Sequence, residues 1–452
     1  MRSLKISTLK LRDYRCFDAI DIQFHEKLTV LVAANGSGKT SILDAIAVAF
    51  GPYVGAFNES VGKHFEASDI RLSRVRGTDT NEMEYAAQGV RLEATGWIPS
   101  SIHEALDLRS TWCRSLAGPT KAKTTIKDAK ELIDYGKRLQ AAVRTPGTDA
   151  TLPLLAYYGT GRLWQQKKLT AGKLPRTSRT IGYTDCLDPA SSYKSFVEWF
   201  RYWSMNALKG RIEASEASKP YIATEFDHFI LSVGRSVNIC LSPSGWKDLS
   251  YSLSREELVA RHELHGELAV EVLSDGIRNM IGMVADIAFR ATKLNPQLGA
   301  QAAEKTPGVV LIDEVDMHLH PGWQQVVLQG LTEAFPCMQF IVTTHSPQVL
   351  TTVESENILV LEGNAVHAAP PGTKGAEASR ILKRVLGVDA RPPEDGATQE
   401  LREYLALVDA DEWQSARALE LRKILDRRYQ GEEPALLDAD LRIENRKWEL
   451  GE

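Results

Sequence analysis

Residues 27–50 read KLTVLVAANGSGKTSILDAIAVAF, and the fold turns on how this stretch is parsed. Residues 27–34 are nearly all apolar and Val-rich, as a strand covered on both faces should be. Asn35-Gly36-Ser37-Gly38-Lys39-Thr40 follows at once, and then Ile42, Leu43, Ile46, Ala47 and Phe50 recur at the three- and four-residue spacing of a helix. Strand, glycine turn and amphipathic helix, in that order, are what a phosphate-binding loop requires. Backbone N–H groups over Asn35, Gly36, Ser37, Gly38 and Ser41 are then candidates to face phosphate oxygens at a helix N-terminus. Lys39 would add a point charge near the β and γ phosphates, and Thr40 would offer its hydroxyl to Mg²⁺. Ala33 stands where the pattern G-x-x-x-x-G-K-[ST] has its first glycine. A methyl group is tolerated there at negative φ, whereas a left-handed backbone would cost roughly 1–2 kcal/mol.

Working outward, a second almost purely apolar strand at 308–312 ends in Asp313-Glu314. Asp313, emerging from the core, suits Mg²⁺, directly or through water, and Glu314 suits a water opposite the γ phosphate. Two carboxylates are needed because the metal-facing one stays ionised while the other accepts a proton. A third strand at 339–343 ends in Thr344-His345-Ser346-Pro347, which would hold His345 at the same rim as a hydrogen-bonding or water-positioning imidazole. Ser274 precedes a helical pattern over 275–292, where its hydroxyl and the helix N–H groups suit an anion. Apolar strands separated by helices, with polar residues at their C-terminal ends, describe an α/β fold with a mixed or mostly parallel sheet and ligand groups along one rim.

The remainder bounds the answer. The 452 residues, 43% hydrophobic and 25% charged, exclude generic disorder and suit about three domain-sized units. Five cysteines, at 16, 113, 186, 240 and 337, include no CxxC pair, so neither a disulfide framework nor a zinc hook is expected. The polar N-terminus and the lack of any run near ~18 apolar residues point to a cytoplasmic chain with no membrane span. Net charge is −5, but residues 121–180 carry 13 Lys/Arg against 4 Asp/Glu, either a phosphate-backbone surface or a solvated face. Helices are expected at 99–112 and 122–142, a strand at 152–158, an aromatic-rich helix at 193–208, and strand-like text at 223–237 and 268–273. Linker-like stretches at 366–377 and 391–397 precede and interrupt a helical tail. The expected divisions are 1–98, the first part of the head; 99–221, a helical and basic middle lobe; 222–364, the second part of the head; and 365–452, a small helical region.

VVLIDEVDMHLHPGWQQ at 309–325 and IVTTHSP at 341–347 resemble the Walker B, D-loop and switch-histidine elements of ABC-type ATPases, nearest the RecF/SMC/OLD-like group. LSDGIRNM at 273–280 resembles their signature motif, with Ser274 and Gly276 at matching positions and Asp275 where many relatives have Gly. Tyr14-Arg15-Cys16-Phe17 resembles the motif around the nucleotide base, which makes Arg15 a nucleotide candidate. The resemblance implies an ABC-type P-loop ATPase head that binds ATP and Mg²⁺. It also implies a head-to-tail homodimer in which Ser274 and Gly276 meet the γ phosphate held by the other subunit. It assigns His318 and His320, which at i,i+2 are also readable as a metal pair, to the D-loop. Gln140, Gln165 and Gln166 are candidates for the Q-loop, and Arg162 for a nucleotide or interface arginine.

The tail GAEASRILKRVLGVDARPPE at 375–394 resembles that of PtuA-like ATPases of Septu and retron systems, which act with a separately encoded HNH nuclease. What this implies is an anti-phage defence ATPase that regulates or scaffolds a nuclease or toxin effector, with a higher oligomer and DNA or retron nucleic acid as further partners. No strand-borne E…DxD arrangement follows residue 363, so an intrinsic Toprim nuclease is not expected. Two other readings stay open: a repair or recombination ATPase that clamps DNA directly, and a nucleotide-binding interaction protein that does not hydrolyse.

Overall fold

The computed structural model describes residues 4–74, 82–99, 109–120, 122–161, 178–190 and 193–450, which divide into a large unit up to Ile381 and a small one from Leu382. In chain order, strands β1 (Lys5–Tyr14), β2 (Phe17–Gln23) and β3 (Leu28–Val32) lead into helix α1 (Lys39–Val54). Strands β4 (Leu72–Arg74), β5 (Met83–Tyr85), β6 (Val90–Trp97) and β7 (Arg109–Leu116) precede α2 (Lys130–Arg144) and β8 (Leu154–Tyr158). A 3₁₀ turn at Arg179–Tyr183 is followed by α3 (Tyr193–Glu216), α4 (Glu225–Leu241), then β9 (Trp246–Ser252), β10 (Glu257–His262) and β11 (Gly266–Ala269). The large unit continues with α5 (Asp275–Leu294), α6 (Ala302–Lys305), β12 (Gly308–Ile312), α7 (Pro321–Gln324), α8 (Val327–Ala334), β13 (Met338–Thr343), α9 (Pro347–Leu350), β14 (Ile358–Glu362) and β15 (Ala365–Ala368). Helix α10 (Ala378–Arg384) leads into α11 (Gly396–Asp409), α12 (Ala416–Tyr429) and α13 (Pro434–Leu450).

Six strands form the central sheet in the order β15-β14-β3-β13-β12-β8, parallel except for β15. Every residue of β8, β12 and β13 is buried, which is why these strands read as mostly apolar runs, with Gln339 and Thr343 the polar exceptions in β13. Because β13 lies between β3 and β12, their C-terminal ends bring the glycine loop, Asp313-Glu314 and Thr344-His345 to one rim. A second sheet, antiparallel in the order β2-β1-β6-β7, joins the first through Gln339 of β13. The Gln339 side chain donates to the carbonyls of Ile6 (2.8 Å) and His25 (2.9 Å) and accepts the Ile6 N–H (3.1 Å).

Helix α1 is buried everywhere except Thr40 and Ser41, the two residues that open onto the rim. Pro52 lies inside it and has no N–H for the carbonyl of Val48. The fully buried Arg114 of β7 supplies the missing donor, Nη1 to Val48 O at 2.8 Å, and Trp112 Nε1 donates to Ala49 O at 2.9 Å. Burial draws the Arg114 guanidinium down to about 10.

Three local readings of the sequence are corrected. Residues 225–241 are helix α4 rather than strand: Phe229, Val233 and Val237 repeat at helical spacing on its buried face, and Thr224 and Asp227 form a capping box. Arg109 onward, expected to be helical, is strand β7, whose alternating Trp112, Arg114 and Leu116 face inward opposite β6. Residues 366–368, the start of the stretch expected as linker, belong to β15, which extends the sheet against β14. Residues 100–108 lie outside the described ones. The small unit has its own core, in which Leu401, Tyr404, Val408, Ala418, Leu421, Leu425, Leu436 and Ala439 pack together.

Candidate functional site

The glycine loop is held in shape by two residues with left-handed backbone, Gly36 (φ 79°) and Gly38 (φ 89°). Gly38 is required twice over, since a Cβ there would stand 2.4 Å from Phe17 Cζ and 2.7 Å from Cys16 Sγ. Ala33 does not have positive φ, so its methyl group carries none of the left-handed cost. Lys39 is 7% exposed and folds back over the loop, donating to the carbonyls of Ala33 (3.0 Å) and Ala34 (3.2 Å). Burial lowers its pKa, against the opposing attraction of Asp313 and Glu314.

Across the rim, Thr40 Oγ1 donates to Asp313 Oδ2 at 2.7 Å. The other carboxylate oxygen, Oδ1, accepts from Thr343 Oγ1 at 2.6 Å, and Thr343 Oγ1 in turn accepts the Glu314 N–H at 2.8 Å. Glu314 has φ 48°, a left-handed backbone that turns the chain sharply at the strand end. Thr344 donates to Asp316 at 2.5 Å, and Ser346 accepts the Val349 N–H, which fixes the turn around His345. The His345 pKa is lowered by burial first and by the Lys39 charge second, with Glu314, Asp316 and Asp313 pulling the other way. Lys39, Asp313, Glu314 and His345 therefore share one electrostatic neighbourhood. Thr343 belongs to this candidate site although motif reading missed it; its only signal was a polar pair, Thr343-Thr344, at the C-terminal end of the strand.

The Thr40 hydroxyl and the Asp313 carboxylate are hard oxygen donors within hydrogen-bond reach of each other, which fits an ion such as Mg²⁺ that takes few protein ligands and completes its shell with water and phosphate. Among the described residues, no group of three or more His, Cys, Asp or Glu side chains could hold a metal ion. His320 instead accepts the Gly322 N–H at 3.2 Å as a helix cap.

Ser274 lies at the N-cap of α5, exposed, with its hydroxyl not spent on capping its own helix. No hydrogen bond among the described residues joins it to Lys39, Asp313 or His345. Gly276 packs on the turn after β12, where a Cβ would stand 2.4 Å from His318 O, and Asn279 donates to Met317 O at 3.3 Å. Arg15 reaches the loop helix, with Nη1 3.5 Å from Ser41 Oγ, but its main bonds go to Asp44 (2.7 Å) and Asp69 (2.8 Å). Gln140 is buried and accepts the Asn58 N–H at 3.3 Å. Arg162, Gln165 and Gln166 lie outside the described residues.

A glycine loop between a buried parallel strand and a helix, with an acidic strand end and a histidine beside it, is the arrangement of a P-loop ATPase head. An AAA-domain family model matches residues 8–222, and a second AAA-domain model matches 252–351. The chain is 42% identical to the Retron Ec83 probable ATPase of Escherichia coli, over 99% of this chain and 88% of that protein. It belongs to this family of retron-associated ATPases. The Retron Vc95 probable ATPase of Vibrio cholerae is 25% identical over 79% of this chain and 73% of its own. The Septu protein PtuA of Bacillus thuringiensis is 30% identical over 28% of this chain and 34% of its own. Among solved structures the chain is similar to an SmcHead bound to the C-winged helix domain of ScpA, at 17% identity and TM-score 0.45, over 80% of this chain and 97% of that one.

Proposed function

We propose that the protein binds and hydrolyses ATP as a head-to-tail dimer and, in anti-phage defence, uses that cycle to control a separately encoded nuclease or toxin effector. The observation that carries the ATPase reading is the continuous chain Thr40–Asp313–Thr343–Glu314, which fixes the start of the loop helix, the metal-facing carboxylate and the backbone of Glu314 relative to one another. Preorganised groups of this kind need no rearrangement when charge develops in the transition state.

In this reading the loop N–H groups and Lys39 hold the β and γ phosphates, with Lys39 exchanging its bonds to Ala33 O and Ala34 O for phosphate oxygens. Thr40 and Asp313 would hold Mg²⁺, which when bound neutralises phosphate charge. Glu314 takes a proton from the attacking water as its oxygen bonds to the γ phosphorus and the bond to the leaving ADP oxygen breaks. His345, kept neutral by burial and by Lys39, donates one hydrogen bond and orients that water. Ser274 and Gly276, exposed and closely packed respectively at the start of α5, complete the site of a second copy. Arg15, held between Asp44 and Asp69, braces Ser41 from below the loop.

The effector role draws on the similarity to the retron-associated ATPases and to Septu PtuA. It is tested by purifying the natively expressed protein with its genomic neighbours and assaying ATP turnover and DNA cleavage in the same fraction. Co-purification of a nuclease whose cutting changes with nucleotide supports the role. Protein that brings down no partner and turns over ATP only with DNA contradicts it and favours direct DNA clamping.

A further inference from the structure

We infer that Tyr158, Asp286 and Arg290 form a positioning lock that sets the register of α5 against the strands carrying Asp313, and thereby sets where Ser274 stands. The inference rests on the ATPase-dimer reading above, in which Ser274 serves the second nucleotide site.

The residues are buried almost completely, with Arg290 and Asp286 side chains 7% and 1% exposed. Asp286 Oδ2 accepts from Arg290 Nε at 2.7 Å and from the Tyr158 hydroxyl at 2.7 Å, while Oδ1 has no hydrogen-bond partner. Arg290 Nη1 donates to Gly182 O (2.9 Å) and Thr184 O (3.0 Å). Tyr158 ends β8, and its carbonyl accepts the Asp313 N–H at 2.8 Å. One residue thus holds the backbone of Asp313 through its own carbonyl and the helix of Ser274 through its side chain. The 3₁₀ turn closes the arrangement. Gly182 lets it approach α5, since a Cβ there would lie 2.7 Å from Leu294 Cγ, and Tyr183 shares a 2.7 Å hydrogen bond with Tyr53 of α1.

Stability alone does not call for an ion pair here, because well-packed apolar residues of similar volume commonly stabilise a core as well as a buried pair does. What apolar packing does not supply is direction. Three hydrogen bonds to residues outside the helix, from the Tyr158 hydroxyl onto the Asp286 carboxylate and from Arg290 onto the carbonyls of Gly182 and Thr184, fix both the rotation and the axial position of α5. Ser274 lies twelve residues before Asp286, about 18 Å along the helix axis, so a small slip at the lock is carried to the N-cap. A misplacement of about 1 Å at a reacting centre can lower a rate ~100-fold.

The test replaces the ion pair by an apolar pair, Asp286→Leu with Arg290→Met, and separately removes one hydroxyl with Tyr158→Phe, in the full chain. ATP affinity, turnover, Hill coefficient and thermal midpoint are measured for each. Measured below its midpoint, the double variant is expected to keep the wild-type ATP affinity, to melt earlier because the Gly182 and Thr184 carbonyls and the Tyr158 hydroxyl lose their partners, to lose about 10–100-fold in turnover, and to drop from a Hill coefficient of about 2 to about 1. Tyr158→Phe is expected to shift the same readouts in the same direction by about 3–10-fold. If the apolar double variant is too unstable to assay, Tyr158→Phe alone decides. Variants that fold and turn over cooperatively like wild type would overturn the lock and leave the ATPase reading standing. Absence of cooperative turnover in the wild-type protein would overturn that reading and this inference together.

Discussion

Thr40 and Asp313 are 273 residues apart in sequence, and the Thr40 hydroxyl donates to the Asp313 carboxylate at 2.7 Å. The contact exists because β3 and β12 flank β13 in one parallel sheet, so that residues just past their C-terminal ends meet. Thr40→Ala removes one hard oxygen donor and leaves the loop backbone intact. ATP affinity in Mg²⁺ is expected to fall about 10–100-fold, with little change when the metal is chelated, and Thr40→Ser should restore most of the loss. Equal loss with and without metal, measured by titration calorimetry, would show that the hydroxyl acts on the loop instead.

Thr343 holds both acidic residues, donating to Asp313 and accepting from the Glu314 N–H. Thr343→Val keeps the shape and strand preference but leaves both partners short of a bond. Turnover is expected to fall about 10–100-fold with ATP affinity within about threefold, and stability by about 1–3 kcal/mol. Steady-state kinetics alongside denaturant unfolding separates the two effects; unchanged kcat would remove Thr343 from the site.

Arg114 repairs the gap that Pro52 leaves in α1. Arg114→Leu strands the Val48 carbonyl in the core and is expected to cost about 1–3 kcal/mol, read as a lower thermal midpoint. The double variant Arg114→Leu with Pro52→Ala should recover part of this, because an alanine N–H can bond Val48 O again. A double variant no more stable than the single one would contradict the assignment.

His345 carries a pH dependence whose sign follows from its surroundings. Its pKa lies below the ordinary 6.5 in the folded chain, so folding favours the neutral ring. That contribution is fully present above 6.5 and is lost as the pH falls through the lowered folded value. Without nucleotide, wild-type thermal stability should decline more steeply below pH 6.5 than that of His345→Asn. Parallel stability profiles for the two proteins would contradict it. Bound γ phosphate adds negative charge beside the ring and should raise the His345 pKa, which an NMR titration would follow.

Much of the site was legible because its chemistry is written locally. The glycine loop, Asp313-Glu314 and His345 each follow an apolar strand directly, and parallel topology then carries them to one rim. Thr343 was not legible, because a threonine in a strand is ordinary until the neighbouring strand places Asp313 against it. The partners of Arg15 were hidden for a related reason: Asp44 and Asp69 lie 29 and 54 residues away, so only the fold reveals that the guanidinium is already paired. Helix α4 was misread because its β-branched and aromatic residues suit a strand, and only the 229, 233, 237 spacing and the Thr224–Asp227 cap outweigh that preference. The lock between Tyr158, Asp286 and Arg290 joins a strand end to a helix across 128 residues, a relationship with no local pattern at all.

The most direct test of the central claim, that Lys39, Asp313, Glu314 and His345 act on one triphosphate, is Glu314→Gln assayed for turnover and, by sedimentation with ATP and Mg²⁺, for dimer mass. Turnover is expected to drop at least ~100-fold while an ATP-bound dimer accumulates and persists. Turnover within about twofold of wild type, with no gain in dimer, would contradict it.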